Sequence, residues 1–169
     1  MSAEQATPFG EALFEELLWV HGALRRDLAT VRRLAAEASG DLDPAELRAA
    51  LTELETSGPL WQLRFSCLHY CRFVHLHHGL EDRHLLPILR RADPSLAPVI
   101  DRLEAEHRTV SDLLDEAEAA AAALGQADDE PARARVTLAL DAVADHLLAH
   151  LEYEEERLAP AIKGLSRLG

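Results

Sequence analysis

The chain has 169 residues, enough for one domain with a real core and short for two. Hydrophobic residues make up 48% of it, rich in Leu and Ala with few aromatics, which favours an all-α protein. A net charge of −13 argues against a nucleic-acid or anionic-membrane partner, either of which needs a basic stripe, and suits a protein that repels its own copies.

The opening segment MSAEQATPFGEALFEELLWV has no basic leader and carries acidic residues throughout, so it does not read as a signal peptide. No apolar run is long enough to cross a bilayer, and the cytoplasm is the expected compartment. Helix one is expected from about Phe9 to Ala38, with Leu13, Leu17, Leu24, Leu28 and Val31 as its apolar stripe. Ser39-Gly40-Asp41 ends it. Asp43 as N-cap and Pro44 at the first position then start a short extra helix to about Glu55, interrupted by Ser57-Gly58-Pro59.

The second long helix runs from about Leu60 to Arg91, with Pro87 loosening its last turns. Cys67 and Cys71 stand at i,i+4 in it, where helical geometry does not favour a disulfide, and they read as small core residues. Asp93-Pro94 repeats the cap-and-proline device before helix three, which extends to about Leu124. After a loop from Gly125 to Glu130, Pro131 opens helix four, which lasts to about Ile162. Strands find no support, and four long helices with short connections imply an antiparallel up-down-up-down four-helix bundle, one domain with its core at about residues 9–162.

Each long helix carries a histidine: His21, His77, His107 and His150. His21 lies about 26 Å before the end of helix one and His77 about 26 Å after the start of helix two, at 1.5 Å per residue. The remaining turns match within the few-residue error of helix boundaries, so all four can meet in one layer. Rotation agrees. Leu17 and Leu28 flank His21, Phe73 and Ile88 flank His77, Leu103 and Leu114 flank His107, and Val143 and Leu147 flank His150. His77 and His150 each have a carboxylate one turn on, Glu81 and Glu154, on the same face. Burying that much polarity without a metal or a full hydrogen-bond network is costly, so the layer reads as a transition-metal site.

The strings His77-His78-Gly-Leu-Glu81-Asp82-Arg-His-Leu-Leu-Pro87 and His150-Leu-Glu-Tyr-Glu154-Glu155-Glu-Arg-Leu-Ala-Pro160, with single histidines on helices one and three, resemble the hemerythrin-like (HHE cation-binding) family. The resemblance covers about Phe9 to Ile162. It implies a bundle holding two non-heme iron ions, with Glu81 and Glu154 as bridging carboxylates and O2 or an oxo or hydroxo group between the metals. His21 and His77 would serve one iron, His107 and His150 the other.

The chain departs from the oxygen-carrying members, which place a second histidine four residues after the helix-three histidine, where this chain has Ser111, and their helix-four acid at the position of Glu155. Rotation favours Glu154, roughly 40° from His150 against about 140° for Glu155. His146, one turn before His150, is the candidate for the missing imidazole. If it does not bind, the second iron has an additional open position for water, oxygen, peroxide or nitric oxide.

His84 is expected to face inward about two turns from His77, lining a channel or supporting the ligands. His69, His75 and His78 are expected to point sideways or outward. Glu81-Asp-Arg-His84 and Glu104-Ala-Glu-His107 also spell the Glu-x-x-His pattern of ferritin-like proteins, but those set the motifs on alternate helices and here they fall on neighbours. Tyr70 and Tyr153 lie near inward faces and could hydrogen-bond a bound oxygen species or act in redox.

Three functions compete. One is a binding protein that takes up O2, nitric oxide, peroxide or iron itself for sensing or storage. The second is a di-iron oxidase, oxygenase or peroxide-consuming enzyme using an open coordination site. The third is a helical protein holding adventitious zinc. A substrate-sized pocket beside the layer would favour the enzyme, and a closed leucine-lined core the binding protein.

Overall fold

The computed structural model describes residues 6–39, 59–124 and 130–167. The expected short helix from Asp43 to Glu55 and most of the loop after Leu124 lie outside the described residues. The described part is helical: α1 (Pro8–Ser39), α2 (Pro59–Leu80), a π-helical turn (Glu81–Leu85), α3 (Leu86–Ala92), a 3-10 turn (Pro94–Leu96), α4 (Ala97–Ala123) and α5 (Glu130–Gly164). α1 packs on α2 and α5, and α4 packs on the same two, closing a four-helix bundle. Among the described residues no helix is long and apolar enough to cross a membrane.

Two chain features set the ends. Asp93 caps as its sequence position suggests, its carboxylate accepting from Ser95 N at 3.0 Å and from the Ser95 hydroxyl at 2.6 Å. Near the chain start, Thr7 N donates to Lys163 O at 2.8 Å, and α1 crosses the end of α5 at Gly10. A Cβ there would stand 2.2 Å from Lys163 O and 2.5 Å from Ile162 O, so only glycine allows this approach.

The apolar interior falls into two clusters. One runs from Leu24 to Ala38 on α1, Leu63 to Val74 on α2, Val110 to Ala121 on α4 with Leu124 just past its end, and Ala132 to Leu151 on α5. Cys67 and Cys71 are buried within it as free thiols. The other gathers Phe14, Leu17, Leu86, Leu89, Ile100, Leu103, Leu158 and Ile162. On every helix the residues between the two clusters are polar and buried: His21, then His77, His78 and Glu81, then His107, then His150 and Glu154. A polar layer is thus clamped between two leucine-rich cores.

The π-helical turn decides which side chains enter that layer. Pro87 has no N–H to give, and its ring crowds the carbonyl four residues back. The preceding turn winds wider, with Leu86 N bonded to Glu81 O, five residues back. The buried stripe therefore runs Val74, His77, His78, Glu81 and then jumps to Leu86 and Leu89. His84, inward on an uninterrupted α-helix, is turned to solvent. Ile88 is only half-buried for the same reason.

Candidate metal centre

Three helices each bring a histidine whose Nδ1 is tied to a carboxylate from a neighbouring helix. His21 Nδ1 lies 2.8 Å from Glu155 Oε1, His107 Nδ1 2.6 Å from Asp82 Oδ1, and His150 Nδ1 2.9 Å from Glu106 Oε2. A carboxylate accepts here, so Nδ1 donates to it and Nε2 is the nitrogen aimed into the layer. Two of these outer carboxylates are held in turn by arginines. Arg25 reaches Glu155 at 2.7 Å and Arg102 reaches Glu106 at 2.7 Å. Both carboxylates are held below the ordinary range by their arginine and histidine partners, against the effect of partial burial.

The inward nitrogens pair up. His21 Nε2 is 3.1 Å from His77 Nε2, and His107 Nε2 is 3.1 Å from His150 Nε2. In the second pair both rings turn Nδ1 outward to a carboxylate, which leaves the two Nε2 atoms facing each other in the layer. Neighbouring donors on an octahedral ion with bonds of about 2.1 Å stand about 3.0 Å apart, which is the spacing seen.

Glu81 and Glu154 complete the layer. Glu81 Oε1 lies 3.0 Å from His77 Nε2 and 3.8 Å from His21 Nε2, while its Oε2 lies 3.4 Å from His107 Nε2. One carboxylate thus spans both histidine pairs. Glu154 Oε2 sits 3.6 Å from both His21 Nε2 and His150 Nε2, and so faces both pairs from the other side. Both glutamates are buried, and none of their four oxygens has a hydrogen-bond partner of acceptable geometry. Burial, and then the adjacent Glu81 charge, push the Glu154 carboxyl well up. Glu81 is held low, because the His21 and His77 imidazoles together outweigh its burial.

Orphaned buried acceptors of this kind call for a cation. His21, His77 and Glu81 form one set of donors within 4.8 Å of one another, His78, His107 and His150 a second, and Glu81, His107 and Glu154 a third. Imidazole and carboxylate together suit a first-row transition ion, and a carboxylate shared between sets suits two of them.

His21, His77, Glu81, His107, His150 and Glu154 therefore come together as expected. His146 does not. Its side chain is exposed, on the rim of a cavity of about 200 Å³ that also borders Glu106, Asp145 and His150. One turn before His150 on α5 is still a neighbouring position, but the 40° offset carries the ring out through the α4–α5 seam. His78, expected to point sideways, is instead buried at 5% exposure, stacked on His107 with ring centroids 4.1 Å apart. Burial, then the neighbouring His107 and His150, push it down to about 2, so the ring is neutral. The inward axis of α2 passes through Glu81, which lies between His77 and His78 on the helix, rather than through His77.

Ser111 lies half-buried on the α2–α4 seam, its hydroxyl 3.5 Å from His75 Nδ1. Tyr70 spends its hydroxyl on Leu24 O at 3.1 Å, and burial pushes its pKa up, which keeps the phenol protonated. The Tyr153 ring lies under the Arg102 guanidinium, 3.7 Å from its centroid. Glu155, which rotation sets about 140° from His150, is the partner of His21. The signal for all three outer carboxylates is adjacency: Asp82, Glu106 and Glu155 each stand next in sequence to a residue of the layer, which places them at a helix seam.

No curated protein and no solved structure matches the chain. Among protein families, residues 12–162 match the hemerythrin HHE cation binding domain. The match spans all four long helices and every buried residue of the polar layer, and the chain belongs to the hemerythrin HHE cation-binding family.

Proposed function

We propose that the chain is a non-heme di-iron protein that binds O2 or a related small ligand, such as nitric oxide or peroxide, or iron itself, for sensing or storage. Glu81 carries this reading, since its two oxygens serve two separate histidine pairs. In this scheme His21 and His77 hold one iron, His107 and His150 the other, and Glu81 and Glu154 bridge them. Bound iron supplies reversible coordination of a small oxidant or electron exchange with it. The protein's own part is positional. Glu155, Asp82 and Glu106 fix the tautomer and direction of three imidazoles. The leucine clusters on both sides of the layer keep bulk water away from it.

The surroundings favour binding over turnover of an organic substrate. The cavity beside His150 is about 200 Å³, below the roughly 300 Å³ at which pockets for drug-sized ligands begin. It suits a diatomic molecule or peroxide.

The test is metal analysis of aerobically prepared protein with optical spectra of its reduced, oxygenated and peroxide-treated forms. Two irons per chain with oxo-bridge charge-transfer bands are expected. One zinc per chain, or no metal, would sink the proposal.

A further inference from the structure

We propose that His78 is the third imidazole ligand of the ion held by His107 and His150, giving that ion more nitrogen donors than its neighbour. The inference rests on the two-ion reading and goes beyond it, because it assigns a residue that lies outside both His-x-x-x-Glu pairs.

Three observations carry it. His78 is buried between α2 and α4, and its Nε2 has no hydrogen-bond partner. An imidazole with an idle ring nitrogen in a closed interior is a costly arrangement unless something takes that nitrogen. It also belongs to a donor set: one nitrogen each from His78, His107 and His150 lie within 4.8 Å of one another. Finally, its ring makes an edge contact with His150 at 5.0 Å and a stack with His107 at 4.1 Å, so it touches both members of that pair. His77, next to it in sequence, meets His21 instead, with ring centroids 5.0 Å apart. Adjacent residues 100° apart on α2 thus serve opposite sides of the layer, with Glu81 between them.

The stack also says what must move. An ion bound to an imidazole lies near the plane of that ring. Rings 13° from parallel and stacked face to face do not share such a position. His78 therefore turns about its Cβ–Cγ bond as the ion enters, a torsion with a broad, shallow profile. His107 and His150 stay where Asp82 and Glu106 hold them.

The experiment uses the full chain loaded with Co(II), whose paramagnetism shifts the exchangeable ring N–H proton of each ligating histidine far outside the normal NMR range. Wild type should take up two Co(II) and show five such protons. His78→Phe keeps a flat ring against His107 but offers no donor. It should show four shifted protons and bind the second ion at least 10-fold more weakly. His78→Ala should do the same and recover the second ion's affinity when imidazole is added. His146→Ala should keep five. Two ions with four shifted protons in wild type, unchanged in His78→Phe, would overturn the ligand assignment while leaving the two-ion reading standing. Fewer than two ions in wild type would remove both.

Discussion

Glu154 offers the sharpest separation between what the fold needs and what the metal needs. Both of its oxygens are buried without partners, in a layer flanked by leucines. Each unsatisfied acceptor costs the metal-free protein about 1–3 kcal/mol. Glu154→Leu removes both and adds apolar contact, with an imperfect fit costing up to about 1.5 kcal/mol. The metal-free variant should therefore be more stable than metal-free wild type by about 0.5–6 kcal/mol, or roughly 1–24 °C in a chain of this size. The metal response should go the other way. At free Fe(II) about 1,000-fold above the dissociation constant, each occupied site adds about 4 kcal/mol to wild type. The variant has lost a donor that faces both histidine pairs and should show almost none of that gain. Calorimetric melts in chelator and in anaerobic Fe(II) measure both quantities on the same samples. A metal-free variant that melts below metal-free wild type would refute the reasoning, because Glu154 would then support the fold unaided. An undiminished Fe(II) response would refute its place as a bridge.

The remaining tests address single contacts. Glu106→Gln should weaken the ion at His107 and His150 by about 10-fold or more, and Glu155→Gln the ion at His21 and His77, because each acid orients one imidazole; site-resolved Co(II) titration distinguishes the two. Gly10→Ala drives a Cβ into the Lys163 carbonyl. It should cost about 2–3 kcal/mol in urea melts while leaving metal stoichiometry intact, since the clash is with backbone. His84→Ala should retain both ions, because the π-helical turn sends that ring to solvent; loss of an ion, read by metal analysis, would mean that α2 continues in α-helical register.

The layer was legible because depth along a helix is an integral over many residues. Errors of two or three at the boundaries shift a histidine by only about 3–5 Å at 1.5 Å per residue, less than the reach of an imidazole and a carboxylate together. Hence His21, His77, His107 and His150 meet, and Glu81 and Glu154 join them. Direction was less forgiving. His77 and His78 differ by 100°, and taking His77 as the centre of the face turned His78 away. Centring on Glu81 admits both, and the structure does so.

The errors at His84 and His146 have a different origin. The rotation at His84 assumed an unbroken α-helix, but the wide turn before Pro87 inserts one residue into the register and rotates everything between Glu81 and Leu86. The proline was visible in the sequence. What was not visible was that the strain would be relieved by winding the turn wider instead of bending the helix, a choice settled by packing Leu86 and Leu89 into the lower cluster. At His146 the inward positions of α5 are taken by Val143, Ala144 and Leu147, and the histidine stands outside them on the rim of the cavity that borders His150. The additional buried ring stands on the α2–α4 side, where His78 stacks on His107. Surplus nitrogen thus enters the layer beside the wide turn of α2, because that is where the bundle has yielded.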